Sequence, residues 1–220
     1  VLACAAETRI IRVGTKHVDL VLQVAESGRV YQTYLGEKFK HEADLSLLPW
    51  YVHAATDGSA VRRGWEAYNT SGTEDFFEPA LALRHNDGNM STYLYYVSSE
   101  SHLIDGGMET VVKLRDNKYP VDVTMHYQAY ENEDVIKAWT EIRHQEKNPI
   151  VMDNYASSIL YFERSAYYLN EFTGDWATEM NMTTQPLRRG KKQIDTKLGS
   201  RAAMHSQPFF QIGLGQPVQE

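Results

Sequence analysis

The sequence predicts an all-β protein, built as a large antiparallel β-sandwich with little helix. Apolar and polar residues alternate over short stretches, which is the pattern of strands that bury one face. Gly, Asn, Asp and Pro residues separate these stretches, as turns between antiparallel strands require. No stretch keeps the helical period of 3.6 residues for more than about two turns. Many short strands joined by tight turns are typical of sandwiches.

The first predicted element is a β-hairpin. Residues 17–24 alternate between polar and apolar side chains over most of their length, and residues 29–35 form a second run of strand-forming residues. Glu26, Ser27 and Gly28 lie between the two runs and favour a tight turn. We therefore expect the two runs to pair.

A second hairpin is predicted further along the chain. Its strands are residues 110–115 and 121–127, and the segment 116–120 between them is rich in turn formers. Residues 135–143 alternate in part and continue the pattern. Further apolar and aromatic runs follow at residues 159–162, 167–169 and 208–214, and they extend the β pattern toward the last residues.

The stretch from residue 41 to residue 78 interrupts the strand pattern. It contains Pro49 and several glycines, together with the aromatic residues Trp50, Tyr51, Trp65 and Tyr68. A long irregular segment inside a compact domain is often a binding or contact loop. Two interpretations stay open, because its aromatic residues can meet a ligand or partner, or can pack the loop onto its own sandwich.

The composition limits the kinds of partner. With 22 Lys and Arg against 29 Asp and Glu, the net charge is −7, so a broad basic face for nucleic acid is not expected. No run approaches the roughly 18 apolar residues that a membrane-spanning helix needs. The 14 tyrosines suit half-buried strand faces, and less often a platform that binds polar ligands.

Residues 1–7 are compatible with the end of a secretory signal peptide or with a disordered tail. Ala3, Cys4 and Ala5 fit the small-x-small rule for signal cleavage, and Cys4 after Leu2 and Ala3 is faintly similar to a lipid-modified cysteine. We expect a periplasmic or secreted protein, with a cytoplasmic location as the alternative. Cys4 is the single cysteine, so no disulfide can form within the chain.

The residues by themselves reveal no active site. The eight histidines are scattered singly, and His41-Glu42 lacks the second histidine of a zinc-protease helix. The sequence has no nucleophile elbow and no phosphate-binding glycine loop followed by lysine. We therefore predict no metal site, no cofactor and no catalytic residue from these patterns.

Two segments resemble the N-terminal domain of glycoside hydrolase family 36, whose typical member is a bacterial α-galactosidase. The first segment consists of Tyr68, Gly72 and Asp75, then Glu78-Pro79-Ala80-Leu81 and His85-Asn86-Asp87-Gly88-Asn89. The second consists of Gly174-x-Trp176-x-x-Glu179, then Leu187, Gly190, Ile194 and Gln207-Pro208-Phe209. Their order and spacing match the family from about residue 18 to residue 214.

The resemblance implies an architecture. In the family a β-supersandwich precedes a (β/α)8 barrel, and the barrel holds two catalytic aspartates that cleave terminal α-galactosides of the melibiose or raffinose type with retention. Such a barrel typically needs about 250 residues. We therefore expect residues 8–220 to be an N-terminal supersandwich domain that is truncated at its C-terminal end, without the barrel and without hydrolytic activity of its own.

The resemblance also implies partners and sugar-contact residues. In tetrameric relatives a loop of this domain reaches the barrel of a neighbouring subunit and supplies an Asp and an Arg to the sugar pocket. Asp57, Arg62, Arg63 and Trp65 are the candidates here, although this loop departs from the usual family sequence. The expected partners are thus the chain's own barrel, further copies of the protein and an α-galactoside.

Trp176 and Glu179 lie in the best-matched block. Either they anchor a core or a domain interface, or they contact sugar directly. Beside the α-galactosidase module, two other functions stay open for the whole chain. One is a free-standing carbohydrate-binding β-sandwich, and the other is a structural or adhesion sandwich that binds no sugar.

Overall fold

The computed structural model describes residues 9–48, 65–73, 78–162, 166–195 and 205–216. The chain divides into two compact units, Val1–Tyr161 and Phe162–Glu220. Within the described ranges, the helical content is one short 3-10 helix, and the remaining regular structure is antiparallel sheet. The predicted all-β class with little helix is therefore confirmed.

The first sheet of the first unit contains the predicted N-terminal hairpin. Its strands pair antiparallel in chain order: β1 (Arg9–Gly14), β2 (Val18–Val24), β3 (Val30–Glu37) and β4 (Trp65–Glu66). Gly28 closes the β2–β3 turn at φ +81°, a left-handed conformation that glycine adopts without steric cost.

The second sheet is a meander of four long strands. They are β6 (Leu94–Ile104), β7 (Gly107–Asp116), β8 (Val121–Tyr130) and β9 (Val135–His144), paired in that order. Along β8, buried and half-buried residues alternate without a break. The period-two pattern in the sequence thus corresponds to one face in the core and one face toward solvent.

The core of this unit lies between the inward faces of the two sheets. Both sheets contribute to one cluster, with Ile11, Val13, Leu20, Leu22, Val24 and Val30 from the first and Leu94, Val112, Leu114, Val121, Val123, Met125, Tyr127 and Ala129 from the second. Burial of each Leu or Val side chain contributes roughly 1.5–3 kcal/mol. Two sheets that share one apolar layer form the predicted sandwich.

Two further elements complete the first unit. Strand β5 (Leu81–Arg84) pairs antiparallel with β10 (Val151–Tyr155), with a register shift near the middle of β10. The 3-10 helix spans Glu42–Leu47 and buries Leu45.

The second unit is a three-stranded antiparallel sheet. Its central strand is β11 (Tyr167–Gly174), flanked by β12 (Asn181–Pro186) and β13 (His205–Leu214). Asn170 is fully buried on β11, and its amide bonds the side chains of Gln211 and Thr184. A buried amide stays in a sheet at little cost when both of its ends are hydrogen-bonded.

The predicted strand runs at 110–115, 121–127, 135–143, 167–169 and 208–214 fall in strands, and the runs at 17–24 and 29–35 each begin one residue before the observed strand. Residues 159–162 form no strand, although the run is apolar. Their role is packing instead, because Ile159 covers the core and the backbone of Tyr161 bonds a glutamine side chain. A backbone segment needs no strand pairing when a side chain supplies its hydrogen-bond partners.

A tight turn follows β5 at His85–Asn89, in the first segment that resembles family 36. Both ring nitrogens of buried His85 are engaged, Nδ1 by Glu146 at 2.7 Å and Nε2 by the Thr92 hydroxyl at 3.1 Å. The ring also stacks on Tyr119, with centroids 3.6 Å apart. The His-Asn-Asp-Gly-Asn motif therefore builds a structural junction.

Glu146 is the second half of that junction and is almost fully buried. One carboxylate oxygen bonds His85, and the other accepts the backbone N–H and the side-chain amide of Asn86. Burial opposes ionisation of Glu146, but these hydrogen bonds outweigh burial and lower its pKa.

Replacing Glu146 by Ala leaves Nδ1 of the buried His85 ring and the Asn86 N–H without a partner. We expect the free energy of unfolding, measured with urea, to fall by about 3 kcal/mol. The matched control is Glu133→Ala at the exposed β8–β9 turn, which should change stability by less than about 0.5 kcal/mol. Equal losses in the two variants would show that the junction is unimportant.

Candidate functional site

Trp65 lies within the stretch 41–78 that the sequence singled out, and it is the first described residue after the segment 49–64. It begins β4, where it pairs with Gln32 of β3. Its half-exposed ring stacks on Tyr161, with centroids 4.9 Å apart and planes 19° from parallel. Trp65 therefore packs onto its own sandwich on one face, as one of the two interpretations of the loop aromatics predicted.

Gln32 holds Tyr161 in place for that stacking. The buried side-chain amide donates to the Tyr161 carbonyl at 2.8 Å, and the Tyr161 N–H donates to the amide oxygen at 3.1 Å. Two bonds from one planar amide fix both the position and the direction of the backbone at Tyr161. The Trp65 ring thus stands on a rigid support.

A buried ion pair secures the next residue of β4. Glu66 pairs with Arg29, and both side chains are about nine-tenths buried. The Arg29 guanidinium also lies 5.7 Å from the ring centroids of Tyr93 and Tyr95. Cation–π contacts of this kind favour a desolvated arginine. The chain is consequently anchored where it leaves the segment 49–64.

The other end of that segment is anchored by the 3-10 helix. Arg12 of β1 bonds Glu42 at 2.8 Å and buried Asp19 at 2.7 Å, while Leu45 packs into the interior. The hydrogen bonds that Arg12 donates to the Asp19 carboxylate raise the pKa of Arg12. The 3-10 helix before the segment and strand β4 after it are therefore both tied to the first sheet.

Three of the predicted sugar-contact residues, Asp57, Arg62 and Arg63, lie outside the described residues. Their role stays a prediction. The described residues show instead how the chain is held on either side of the segment 49–64, by the 3-10 helix before it and by β4, which begins at Trp65, after it. Sequence reasoning missed the residues that build this frame, because Gln32 and Tyr161 are 129 positions apart and no local pattern connects them.

Trp176 and Glu179 lie at the tip of the β11–β12 hairpin in the second unit. Trp176 is 88% exposed, and Glu179 is exposed as well. Exposure of that extent rules out a core role for Trp176 in the structure of this chain. A contact with another domain and a contact with sugar both stay open as predictions.

A row of titratable side chains crosses the outward face of the second sheet. His102 and His126 flank Glu109, at 3.0 Å each, and His126 lies 3.6 Å from Glu141. The His126 ring stacks on Trp139, with centroids 4.6 Å apart. The hydrogen bond from His126 lowers the pKa of Glu109. This row couples all four strands of the sheet.

A pocket of about 300 Å³ opens on the first unit and is lined largely by apolar side chains such as Leu20 and Ile136. Its one carboxylate belongs to Asp134, which accepts hydrogen bonds from Thr15 and His17. The Thr15 hydrogen bond lowers the pKa of Asp134. A carboxylate held ionised in this way is poorly suited to donate a proton near neutral pH.

No three His, Cys, Asp or Glu side chains among the described residues are arranged to hold a metal ion. In the same ranges, no helix has the length and apolar character to cross a membrane.

The sequence model of the Glycosyl hydrolase family 36 N-terminal domain matches residues 28–220. This match covers most of the chain. The chain belongs to this family. The resemblance inferred from the two sequence segments is thereby confirmed.

Curated relatives of the family 36 domain are α-galactosidases. The chain is 22% identical, over 90% of its length, to a bifunctional alpha-galactosidase/sucrose kinase of Mediterraneibacter gnavus, and 20% identical, over 94%, to alpha-galactosidase 2 of Pediococcus pentosaceus. It spans only 24% and 31% of the lengths of these two relatives.

Solved structures show the same fold. The α-galactosidase of Lactobacillus brevis superposes with a TM-score of 0.79 at 19% identity, covering 98% of this chain and 32% of that one. An α-galactosidase of Geobacillus stearothermophilus in complex with raffinose superposes with a TM-score of 0.77 at 18% identity, over 92% of this chain and 31% of that one. Identity at this level shows a shared fold.

The frame around Trp65 can be tested through Gln32. Replacing buried Gln32 by Ala removes both hydrogen bonds to the half-buried Tyr161 backbone, so we expect the free energy of unfolding to fall by about 1–3 kcal/mol. Trp fluorescence of the folded variant should also change, because Trp65 loses its fixed support. Gln193→Ala, at an exposed site, is the control and should alter neither quantity. Unchanged stability of the Gln32 variant would contradict the assigned role.

The row of titratable side chains on the second sheet predicts that the stability of the protein depends on pH through Glu109. Because folding lowers the pKa of Glu109 below its ordinary 4.5, its contribution to stability is complete above that pH and is lost as the pH falls through the lowered value. We expect Glu109→Gln to flatten the acid side of the stability–pH curve measured by thermal unfolding. Glu131→Gln, in the exposed β8–β9 turn, should keep the acid side of the wild-type curve.

Proposed function

We propose that this chain is the non-catalytic N-terminal module of a retaining α-galactosidase, and that it supports a barrel domain which performs the hydrolysis. The observation that carries the proposal is the unequal coverage of the comparisons. Almost the whole chain matches these enzymes, yet it accounts for only 24% to 32% of their length. We therefore assign hydrolysis to the part of the relatives that this chain does not cover.

The secondary structure supports this division of roles. The described residues form antiparallel sheets, whereas a (β/α)8 barrel is built from parallel strands alternating with helices. The barrel fold of the family carries both catalytic aspartates. We therefore assign the support of that barrel, and contacts between subunits, to the present module.

The proposed substrate is a terminal α-galactoside of the melibiose or raffinose type. Structures of relatives from Geobacillus stearothermophilus are complexes with raffinose and with stachyose. We propose that Asp57, Arg62 and Arg63 reach the rim of a neighbouring subunit's sugar pocket, with Trp65 anchoring the end of their segment. Carboxylate and guanidinium groups bind sugar hydroxyls through charge-assisted hydrogen bonds.

We also propose that the protein is periplasmic or secreted. Residues 1–8 lie outside the described residues, so export to the periplasm or the medium rests on their sequence alone.

Hydrolysis of p-nitrophenyl α-galactoside tests the proposed function. A polypeptide that continues this chain through a barrel should release nitrophenol with retention at the anomeric carbon, and the 220-residue chain should not. Activity of the 220-residue chain would overturn the non-catalytic assignment. Lack of activity in the longer polypeptide would overturn the α-galactosidase assignment.

The segment 49–64 can be tested in the longer polypeptide. Replacing Arg62 and Arg63 together by Ala should raise KM about tenfold, equivalent to about 1.4 kcal/mol of lost binding. Lys16→Ala, which removes an exposed cation of the β1–β2 turn, is the control and should leave KM unchanged. Equal KM values for the two variants would show that these arginines do not contact the sugar.

A further inference from the structure

One ring nitrogen of His126 lies buried on the second sheet without a hydrogen bond. Nδ1 of the ring is 3.0 Å from Glu109 of β7, whereas Nε2 is shielded from solvent and has no hydrogen-bond partner among the described residues. A carboxylate oxygen of Glu141 on β9 lies 3.6 Å from Nε2, which is too far for a hydrogen bond. A buried polar atom without a partner is rare in folded proteins and calls for an explanation.

The bond to Glu109 determines which nitrogen carries the proton of the neutral ring. The hydrogen bond from His126 lowers the pKa of Glu109 below its ordinary 4.5, so this carboxylate is ionised near neutral pH and only accepts hydrogen bonds. The neutral ring therefore places its single proton on Nδ1, and Nε2 is left as an acceptor. An ionised Glu141 also offers acceptors only, and two acceptors cannot bond each other. The gap of 3.6 Å follows from this mismatch.

A second proton on the ring removes the mismatch. Once Nε2 carries a proton, it can donate to Glu141 in a charge-assisted hydrogen bond, for which distances of about 2.7–2.9 Å are typical. The Glu141 side chain is 69% exposed, so it has room to change its rotamer and close the distance. Histidine is the side chain that ordinarily changes its charge between pH 5 and 8.

Stacking on Trp139 orients the ring for this bond. Trp139 lies directly opposite His126 in the β8–β9 register, with ring centroids 4.6 Å apart and planes 6° from parallel. The stacked ring keeps Nδ1 toward Glu109 of β7 and Nε2 toward Glu141 of β9. A cation beside the face of an indole is also attracted to it, which favours the charged ring.

The other charged groups on this face oppose the charged ring less than the two carboxylates favour it. The ionisable side chains that face His126 from β6, β7 and β9 are Glu100, His102, Glu109, Lys113, Lys137 and Glu141. Lys113 pairs with Glu100 at 3.1 Å. Lys137 lies 5.0 Å from the centre of the Trp139 ring and, like burial of the His126 ring, opposes a charge there. The carboxylates are nearer, at 3.0 and 3.6 Å from the ring nitrogens.

We propose that His126 is a pH-sensitive staple, which on protonation joins β7 to β9 through Glu109 and Glu141 and stabilises the first unit in mildly acidic medium. The contribution is present where the ring is charged, and it is lost as the pH rises toward 8 and Nε2 loses its proton. At much lower pH, where carboxylates take up protons, the staple opens again. It is internal to the second sheet and requires neither a ligand nor an uncovered surface.

Urea unfolding of the 220-residue chain at pH 6 and pH 8 tests the staple. We expect acidification from pH 8 to pH 6 to lower the equilibrium constant for unfolding about fivefold more in the wild-type chain than in Glu141→Gln. The glutamine amide can donate to the neutral Nε2, so this variant should not be less stable than wild type at pH 8. His126→Phe keeps an aromatic ring beside Trp139 and should also lose the gain. His41→Gln, at an exposed site, is the control and should keep it.

Nitrogen NMR of the histidine rings provides a second measurement, because it distinguishes a protonated from an unprotonated ring nitrogen. At pH 8 we expect His126 to carry its proton on Nδ1, and at pH 6 on both nitrogens. A ring protonated on Nε2 alone at pH 8 would overturn the proposal. So would an equal gain on acidification in wild type and Glu141→Gln. Neither measurement involves hydrolysis, so their failure leaves the activity test of the longer polypeptide untouched.

Discussion

The apolar layer between the two four-stranded sheets is the constraint on which the first unit depends. Val112, Val123 and Leu22 are almost completely buried there, and Leu22 comes from β2, far along the chain from the β7–β8 hairpin that carries the two valines. Since side chains alternate along a strand, placing these residues inward also fixes which residues point outward. The row from His102 to Glu141 on the solvent face is thus a consequence of the core.

Buried polar contacts fix the relative positions of chain segments that the apolar layer alone does not determine. Gln32, the Arg29–Glu66 pair and the His85–Glu146 junction each join segments distant in sequence. Hydrophobic burial is non-directional, whereas a buried hydrogen bond is lost when its partner moves by an ångström. The Arg29–Glu66 pair thereby fixes strand β4, and Gln32 fixes the backbone of Tyr161 on which Trp65 of that strand stacks.

The second unit is organised differently. Leu169 is its one large apolar side chain that is buried within the described ranges, and Phe209, Phe210 and Leu214 of β13 remain exposed. Its central strand is held instead by the buried Asn170 and its side-chain partners. With so small a core, this sheet is held mainly by the hydrogen bonds between its strands and by polar side-chain contacts. Its exposed apolar and aromatic side chains can therefore contact other protein surfaces.

The sequence by itself determined the fold class, most of the strands and the family. Alternation in runs such as 121–127 is a local property, and so are the turn residues between them, because neighbours along a strand share one environment. The two motif segments indicated family 36 for a similar reason, since motifs preserve order and spacing.

Only the tertiary structure decided which residues meet. Strand β12 was missed because its sequence is polar and its partner, β11, supplies the pairing. The stacking of Trp65 on Tyr161 and the exposure of Trp176 were equally inaccessible, since both tryptophans lie in similar aromatic and polar surroundings in the sequence. Burial is a property of the assembled sheets, and contacts between residues a hundred positions apart leave no periodic trace in the chain.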